Sequence, residues 1–159
     1  MNILFVCLGN ICRSPSAEAV FNGLIRKEDL EHLFHVDSAG TMAYHAGENA
    51  DARMQGHAIK RGYNLTSISR KIQPEDFSTF DLIVAMDNSN LRDLKRMAPS
   101  KEAENKIVKM TDFSLDHNYN EIPDPYYGGA AGFELVLDLL EDSCNGLLQY
   151  VQRKKLVNE

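Results

Sequence analysis

A short stretch near the start of the chain combines a nucleophile, an anion-binding cation and residues suited to a tight loop. It reads Cys7-Leu8-Gly9-Asn10-Ile11-Cys12-Arg13-Ser14. The guanidinium of Arg13, six positions after Cys7, has the planar donor geometry that binds two oxygens of a phosphate. A cysteine thiolate is a strong nucleophile. This spacing therefore predicts attack of the Cys7 sulfur on the phosphorus of a bound phosphate.

The backbone of this loop is also predicted to bind the anion. Gly9 and Asn10 tolerate left-handed backbone geometry, which lets the loop curl with its N–H groups pointing inward. Ser14-Pro15 predicts a helix start, with a hydroxyl at the cap and proline at the first helical position, and the helix dipole favours an anion there. The Ser14 hydroxyl is a candidate donor to the Cys7 sulfur. The predicted phosphate-binding residues are Leu8, Gly9, Asn10, Ile11, Cys12, Arg13 and Ser14.

A second candidate stretch supplies a carboxyl group. It reads Ile122-Pro123-Asp124-Pro125-Tyr126-Tyr127-Gly128-Gly129. A thiolate that attacks a phosphate monoester needs an acid to protonate the leaving oxygen, and Asp124 is the candidate for that role and for the base in a second step. Tyr126 and Tyr127 can form an aromatic wall beside an aryl leaving group. Taken alone, the stretch is equally compatible with a proline-rich turn that carries surface tyrosines.

The elements that must position these residues alternate along the chain. Short apolar runs predict strands at 2–6, 34–38, 82–85 and 106–109. Amphipathic patterns predict helices that begin at Ser14 and that cover 50–61, 89–98 and 132–153. This alternation predicts one α/β domain over 1–159, with a parallel sheet and helices on both faces. Ligands bind such sheets at the carboxyl ends of strands, which is where Cys7 lies.

Composition and charge exclude several classes of function. The 159 residues are 43% hydrophobic and 25% charged, which is typical of a folded protein rather than a disordered one. A net charge of −6 without a basic run argues against nucleic acid and anionic membranes as partners. A small dianion can still bind, because solvent ions screen the distant surface charges and the local field of Arg13 and a few amides dominates at the site.

Cysteine and histidine usage predicts neither a disulfide framework nor a metal site. There are three cysteines and five histidines, and no pair has the spacing of zinc ligands. No apolar stretch reaches the roughly 20 residues of a membrane span or has the form of a signal peptide. We therefore expect a cytoplasmic protein with reduced thiols, without metal or cofactor. Cys144 lies on the apolar stripe of the last predicted helix and is expected to pack in the core.

Two stretches, Val6–Pro15 and Asp124–Gly128, together resemble the signatures of the low-molecular-weight protein tyrosine phosphatases. Segments 37–41 and 85–90 also match that family, and the resemblance covers nearly the whole chain. It implies a four-stranded, Rossmann-like parallel sheet and a metal-free, two-step hydrolysis through a cysteinyl-phosphate. The implied substrates are phosphotyrosine in proteins and small aryl phosphates, with inorganic phosphate as product. The implied roles are nucleophile for Cys7, phosphate and transition-state binding for Arg13, and acid and then base for Asp124.

The resemblance also implies how the phosphate loop is supported. Asn10, Ser14 and Ser38 fall on positions that hold the loop through hydrogen bonds. Many members carry a histidine that completes the network around Asn10, and Ser67 stands at that position here. The loop of this chain is therefore expected to be held differently, with its catalytic groups intact.

The resemblance also implies roles for residues at the rim of the site. Tyr44 falls where the family has a substrate-facing aromatic residue, opposite Tyr126 and Tyr127, and the last two are candidates for phosphorylation. Cys12 either forms a reversible disulfide with Cys7 or simply packs in the loop, and the sequence leaves both readings open. The role of Asp87 is also undecided: it is either a carboxylate at a helix start or a support for the substrate loop.

Three other functions fit the residues less well. Thiol-dependent arsenate reductases resemble this loop but need further cysteines after the third strand, and 86–103 contains none. Arginine-phosphate phosphatases resemble it with a smaller polar residue near Ile11, which is here apolar and branched. A phosphotyrosine-binding module without activity predicts that the nucleophile or the acid is missing, and both Cys7 and Asp124 are present. A monomer is expected, with a weak dimer left open.

Overall fold

Four short strands form one parallel sheet in the middle of the molecule. The computed structural model describes residues 1–126 and 128–154. The strands are β1 Asn2–Cys7, β2 His35–Gly40, β3 Leu82–Ala85 and β4 Ile107–Lys109. Their order across the sheet is β2-β1-β3-β4, and all three neighbouring pairs are parallel. The predicted α/β class with a four-stranded parallel sheet is confirmed.

Helices cover both faces of this sheet. They are α1 Arg13–Lys27, α2 Ala52–Ile59, α3 Asp76–Thr79, α4 Asn88–Met97, α5 Lys101–Glu104 and α6 Ala130–Arg153. Two short 3₁₀ helices lie at Glu31–Leu33 and Met110–Phe113. The four-residue helices α3 and α5 were not predicted, because one turn is too short to show a helical repeat. Within residues 1–126 and 128–154, no helix has the length and apolar character to cross a membrane.

The hydrophobic core has two parts, one on each face of the sheet. Alternate residues of β1 point to opposite faces, so that Phe5 joins one part and Leu4 the other. Phe21 of α1 and Phe133 of α6 pack on the side of Phe5, whereas Leu94 of α4 packs on the side of Leu4. Burial of β1 on both faces explains why its sequence is a continuous apolar run.

The strand order places a switch point at the carboxyl end of β1. The chain passes from β1 to β2 on one side and later returns to β3 on the other side, so loops diverge above Cys7. β2 continues to Gly40, beyond the predicted end at residue 38, because Gly40 pairs with Cys7. A Cβ atom on Gly40 would lie 2.8 Å from the carbonyl oxygen of Leu8. Glycine is thus required for β2 to pass this close to the loop after β1.

The start of α1 differs from the predicted one. The helix begins at Arg13, Cys12 occupies the N-cap position, and no side chain caps the helix. Ser14 and Pro15 are therefore the second and third helical residues rather than the cap and first residue. The prediction was wrong because the Ser14 hydroxyl is engaged with Asn10 in the loop instead of with the helix end.

Candidate active site

A cavity of about 350 Å³ opens at the carboxyl end of β1. It brings together most of the residues that the sequence singled out, from both candidate stretches. The cavity is lined by Cys7, Leu8, Gly9, Ile11, Cys12, Arg13, Tyr44, His45, Asp124 and Tyr126. Sequence reasoning missed His45, which follows Tyr44 and carries no motif of its own. Tyr127 lies outside the described residues.

The backbone of the loop after β1 turns its carbonyl groups away from the cavity. The Leu8 carbonyl accepts from the Met42 N–H, that of Gly9 from the Ser69 hydroxyl, and that of Ile11 from the Asp51 N–H. Within residues 1–126 and 128–154, no protein acceptor is found for the backbone N–H groups of residues 8–12. This arrangement fits the predicted ring of amides around an anion.

Asn10 has the left-handed backbone geometry that the loop requires. Its φ is 57°, whereas Gly9 does not have a positive φ, so of the two residues that tolerate this geometry only Asn10 adopts it. Instead, a Cβ on Gly9 would come within 3.0 Å of the His45 ring, so the glycine makes room for that ring. The Asn10 side chain donates to Ser14 Oγ at 2.8 Å and accepts from the Arg70 N–H at 3.0 Å.

The sulfur of Cys7 lies in this hydrogen-bonded network. Cys7 is almost completely buried, and its Sγ is 3.0 Å from Ser14 Oγ. Ser14 Oγ accepts a hydrogen bond from Asn10, so its one proton is shared between the Cys7 sulfur at 3.0 Å and the Ala39 carbonyl at 3.4 Å, and a charged sulfur is the stronger acceptor. A hydroxyl donor at this distance stabilises a negatively charged thiolate. The chain Asn10–Ser14–Cys7 thus joins the left-handed turn of the loop to the candidate nucleophile.

This network predicts the effect of removing the Ser14 hydroxyl. We expect Ser14→Ala to lower kcat for p-nitrophenyl phosphate by about 10- to 100-fold, because a hydrogen bond to a charged group is worth about 1.5–3 kcal/mol. The matched control is Ser16→Ala, which removes a buried hydroxyl that donates to the Cys12 carbonyl at 2.6 Å. Steady-state kinetics of both variants provide the test. Equal losses in the two variants would contradict a specific bond to the sulfur.

Cys12 differs from Cys7 although both lie in the same loop. Burial raises the pKa of the Cys12 thiol well above its ordinary value, and the nearby charges of Asp51 and Cys7 raise it further. Cys12 therefore remains a neutral thiol at neutral pH and is a poor nucleophile. Cys144 is completely buried in α6, as predicted, and burial raises the pKa of its thiol as well.

Arg13 is buried and held in place by two acceptors. Its Nη1 donates to Asp87 Oδ2 at 2.6 Å and to the Ile122 carbonyl at 3.0 Å. Burial alone lowers the pKa of Arg13, but Cys7, Asp87 and Asp124 together raise it above its ordinary value. Asp87 also caps α4 by accepting from the Asn90 N–H, so it is the helix-start carboxylate of the first alternative, and the side chain that it supports is Arg13.

Asp124 lines the cavity and lies near the second terminal nitrogen of Arg13. Its Oδ1 accepts from the Tyr126 N–H at 3.0 Å, and its Oδ2 lies 3.6 Å from Arg13 Nη2. The side chain is 42% exposed, so it can exchange protons with solvent and reach a ligand bound at Arg13. A carboxyl group here is suitably placed to exchange a proton with an oxygen of that ligand.

Aromatic rings form the mouth of the cavity. Tyr44, which is 71% exposed, and Tyr126 both line it, and the ring centroid of Tyr126 is 6.1 Å from that of His45. His45 is in turn held by Glu48, whose Oε2 lies 2.7 Å from His45 Nδ1. Such rings offer flat apolar surface to an aryl group.

Ser38 has a different partner from the one that the resemblance implies. Its hydroxyl donates to Glu18 Oε1 at 2.6 Å rather than to the phosphate loop. Ser67, at the position of the family's histidine, lies near Glu18 and opposes the rise in its pKa. The side chain of Asn10 accepts instead from the backbone of Arg70, so this loop is held without the histidine, as expected.

The environment of Glu18 predicts a pH dependence of stability. Burial and the nearby Asp37 raise the pKa of Glu18, while the side chains of Ser38 and Ser67 oppose the rise. Between the ordinary pKa of a glutamate, about 4.3, and the raised value, the folded state binds more protons than the unfolded state. Its contribution to stability is therefore present below about pH 4 and is lost as pH rises through the raised pKa of Glu18.

Glu18→Gln removes this titration. We expect the urea midpoint of Glu18→Gln, relative to the unmodified chain, to rise between about pH 4 and about pH 7. The control is Glu102→Gln, an exposed carboxylate in α5. The account would be contradicted if the difference in urea midpoint between Glu18→Gln and the unmodified chain stayed constant or fell over this pH range.

The described parts of the chain give no indication of a metal centre. Within residues 1–126 and 128–154, no group of three or more His, Cys, Asp or Glu side chains is arranged to hold a metal ion. What the cavity does provide is a cysteine sulfur beneath an amide-lined loop, with a buried guanidinium on one side and a carboxyl group at the rim. Together with the strand order, this arrangement defines an α/β protein whose cavity is suited to an anion above a thiol.

Comparison with known proteins identifies the family within that class. Residues 2–157 match the family model described as low molecular weight phosphotyrosine protein phosphatase, and the chain belongs to this family of hydrolases. A Synechocystis protein that carries a provisional name as a low molecular weight protein-tyrosine-phosphatase is 48% identical over 99% of this chain and 100% of its own length.

Two solved structures show the same fold. A protein tyrosine phosphatase from Entamoeba histolytica superimposes with a TM-score of 0.95 at 48% identity, covering 98% of this chain and 99% of the other. An arginine phosphatase from Drosophila superimposes with a TM-score of 0.88 at 37% identity, covering 94% of this chain and 97% of the other. The family thus contains members named for different phosphorylated residues.

Proposed function

We propose that this chain hydrolyses phosphotyrosine in proteins and small aryl phosphate monoesters through a cysteinyl-phosphate intermediate. The observation that carries the proposal is the convergence of Cys7, Arg13 and Asp124 on one cavity with aromatic rings at its mouth. These three residue types supply a nucleophile, a phosphate binder and a proton donor.

In the first proposed step, the Cys7 thiolate attacks the phosphorus of the bound monoester. A new S–P bond forms as the P–O bond to the leaving group breaks, and Asp124 gives its proton to the leaving oxygen, which departs as the neutral phenol of tyrosine. Arg13 and the inward amides of residues 8–12 bind the three remaining phosphate oxygens and stabilise their charge in the transition state. The hydroxyl of Ser14 stabilises the thiolate before attack.

In the second step, water attacks the same phosphorus atom. The Asp124 carboxylate takes a proton from the water as its oxygen bonds to phosphorus, and the S–P bond breaks to return the Cys7 thiolate. Inorganic phosphate then leaves the cavity. These steps use only side chains of this chain, so we expect the activity to be insensitive to a metal chelator.

The substrate preference follows from the depth and walls of the cavity. Cys7 is almost fully buried below the rim, so a phosphate must be carried on a group long enough to reach it. Ile11 contributes an apolar wall, and Tyr44 and Tyr126 contribute flat aromatic surface at the mouth. A tyrosine side chain meets both requirements, because it is long and its ring is flat and apolar.

Phosphoarginine is the second candidate substrate, since the Drosophila relative is named an arginine phosphatase. One peptide sequence carrying phosphotyrosine, phosphoserine or phosphoarginine discriminates between the possibilities. We expect kcat/KM for phosphotyrosine to exceed the other two by about 100-fold or more. Equal turnover of phosphoserine would contradict the role of the aromatic rings, and a preference for phosphoarginine would assign the chain to the other substrate class.

The remaining features of the proposal concern the molecule's surroundings. We propose that residues 1–159 act as one domain, in the cytoplasm and as a monomer, with phosphoproteins rather than nucleic acids or membranes as partners. The disulfide between Cys7 and Cys12 stays a prediction, as does phosphorylation of Tyr126 and Tyr127. Both cysteines are free thiols in the structure.

A further inference from the structure

The start of α2 is tied directly to the phosphate loop. Asp51 is the N-cap residue of α2, and its carboxylate accepts from the N–H groups of Arg53 and Met54. The backbone N–H of Asp51 donates to the Ile11 carbonyl at 2.8 Å. The first turn of α2 is therefore fixed relative to the loop that carries the candidate nucleophile.

The side chain of Arg53 extends from this turn toward the acid-bearing segment. Its Nε and Nη2 donate to the two oxygens of Asp51 at 3.2 and 3.0 Å, which fixes the plane of the guanidinium. The guanidinium carbon lies 5.3 Å from the ring centroid of Tyr126 and 5.0 Å from that of Phe133. Both distances fall in the range of cation–π contacts.

These contacts bridge the two halves of the site. Phe133 is almost completely buried at the start of α6 and is a rigid support, whereas Tyr126 belongs to the segment that presents Asp124. The Tyr126 N–H donates to Asp124 Oδ1, so the position of the tyrosine is coupled to that of the carboxyl group. Arg53 itself does not line the cavity.

We propose that Arg53 is a positioning residue that holds Tyr126, and through it Asp124, at the correct distance from the phosphate loop. The inference rests on the proposed function, because it assigns Arg53 an effect on proton donation by Asp124. Without the guanidinium, Asp124 protonates the leaving oxygen less effectively. The loss is largest for substrates whose leaving oxygen is most basic, since these depend most on a proton donor.

A series of aryl phosphates tests this role. The series runs from p-nitrophenyl phosphate, which has a weakly basic leaving oxygen, to phosphotyrosine, whose phenol has a pKa of about 10. We expect Arg53→Met to lower kcat/KM about tenfold for phosphotyrosine and only about twofold for p-nitrophenyl phosphate. Binding of inorganic phosphate needs the loop but not the acid, so the inhibition constant of phosphate for Arg53→Met should stay within about twofold of that for the unmodified chain.

The matched control is Lys60→Met, which removes an exposed charge just after the same helix. It should leave kcat/KM unchanged across the series. Arg53→Lys keeps the charge but loses the two-point contact with Asp51, so it should show the same trend in weaker form. This variant replaces Arg53→Met in the comparison if the methionine variant fails to fold.

Two results would overturn the role of Arg53. A loss of the same size for every leaving group would show that Arg53 does not act through the acid. A loss of phosphate inhibition that matches the loss of kcat/KM would place its effect on the phosphate loop. Failure of the proposed function is seen separately, because the unmodified chain would then not hydrolyse p-nitrophenyl phosphate at all.

Discussion

Replacing Cys7 by serine is expected to lower kcat/KM for p-nitrophenyl phosphate by at least about a thousandfold. The serine hydroxyl has nearly the same size and can keep the contact with Ser14, but it is not ionised at neutral pH. The loop amides and Arg13 remain, so the variant still binds inorganic phosphate. Steady-state kinetics and calorimetric titration with phosphate measure the two quantities separately.

Cys12→Ser is the control for this substitution because it changes the other thiol of the same loop. Since burial raises the pKa of Cys12, the second thiol is not ionised, and we expect the variant to keep at least about a tenth of the activity. The opposite pattern, with Cys12→Ser inactive and Cys7→Ser active, would make Cys12 the nucleophile.

Asp124→Asn is expected to have the second largest effect, a decrease in kcat/KM for phosphotyrosine of about 100- to 1000-fold. The amide is isosteric with the carboxyl group and can still accept from the Tyr126 N–H, but it has no proton to give to the leaving oxygen. For p-nitrophenyl phosphate the decrease should be smaller, because its leaving oxygen is less basic. Parallel assays of the two substrates measure the difference.

The control for Asp124→Asn is Asp116→Asn, an exposed carboxylate that lies outside the cavity. It should change neither rate by more than about twofold. If Asp124→Asn lowered both substrates to the same extent, Asp124 would be acting on phosphate binding instead of on the leaving group.

The sheet and the phosphate loop were predictable because their signals are local. β1 and β3 are continuous apolar runs, since both faces of the central strands are buried. The spacing between Cys7 and Arg13 spans a single loop from strand to helix, so the residues that cooperate are close in sequence. Asp124 carried its own signal in the surrounding prolines and tyrosines.

The supports of the site were not predictable, because they arise from contacts between distant segments. Arg53 meets Tyr126 more than seventy positions later, and nothing in the sequence near either residue indicates the pair. Ser14 resembled a helix cap because a serine before proline usually has that role. Its contact with Cys7 was predicted, but its bonds with the Asn10 side chain and the Ala39 carbonyl depend on the curl of the loop and the path of β2.

The contacts that support the phosphate loop from behind were also not predictable from the sequence. Glu18, Ser38 and Ser67 come together from three separate segments, and a lone glutamate on a predicted helix gives no indication of these neighbours. No sequence motif indicates the hydrogen bond from the Arg70 N–H to the Asn10 side chain, because the donor is a backbone group whose position depends on the path of the chain and not on the Arg70 side chain.

The central claim is that Cys7 carries the phosphoryl group between the two chemical steps. Rapid quench of the unmodified chain in alkaline denaturant during turnover of a phosphotyrosine peptide, with alkaline pH kept during digestion to preserve the S–P bond and mass spectrometry of the fragments, tests this directly. We predict one phosphoryl group on the fragment that contains Cys7 and none in Cys7→Ser. Turnover without a phosphorylated fragment, or a phosphoryl group on a different residue, would contradict the account.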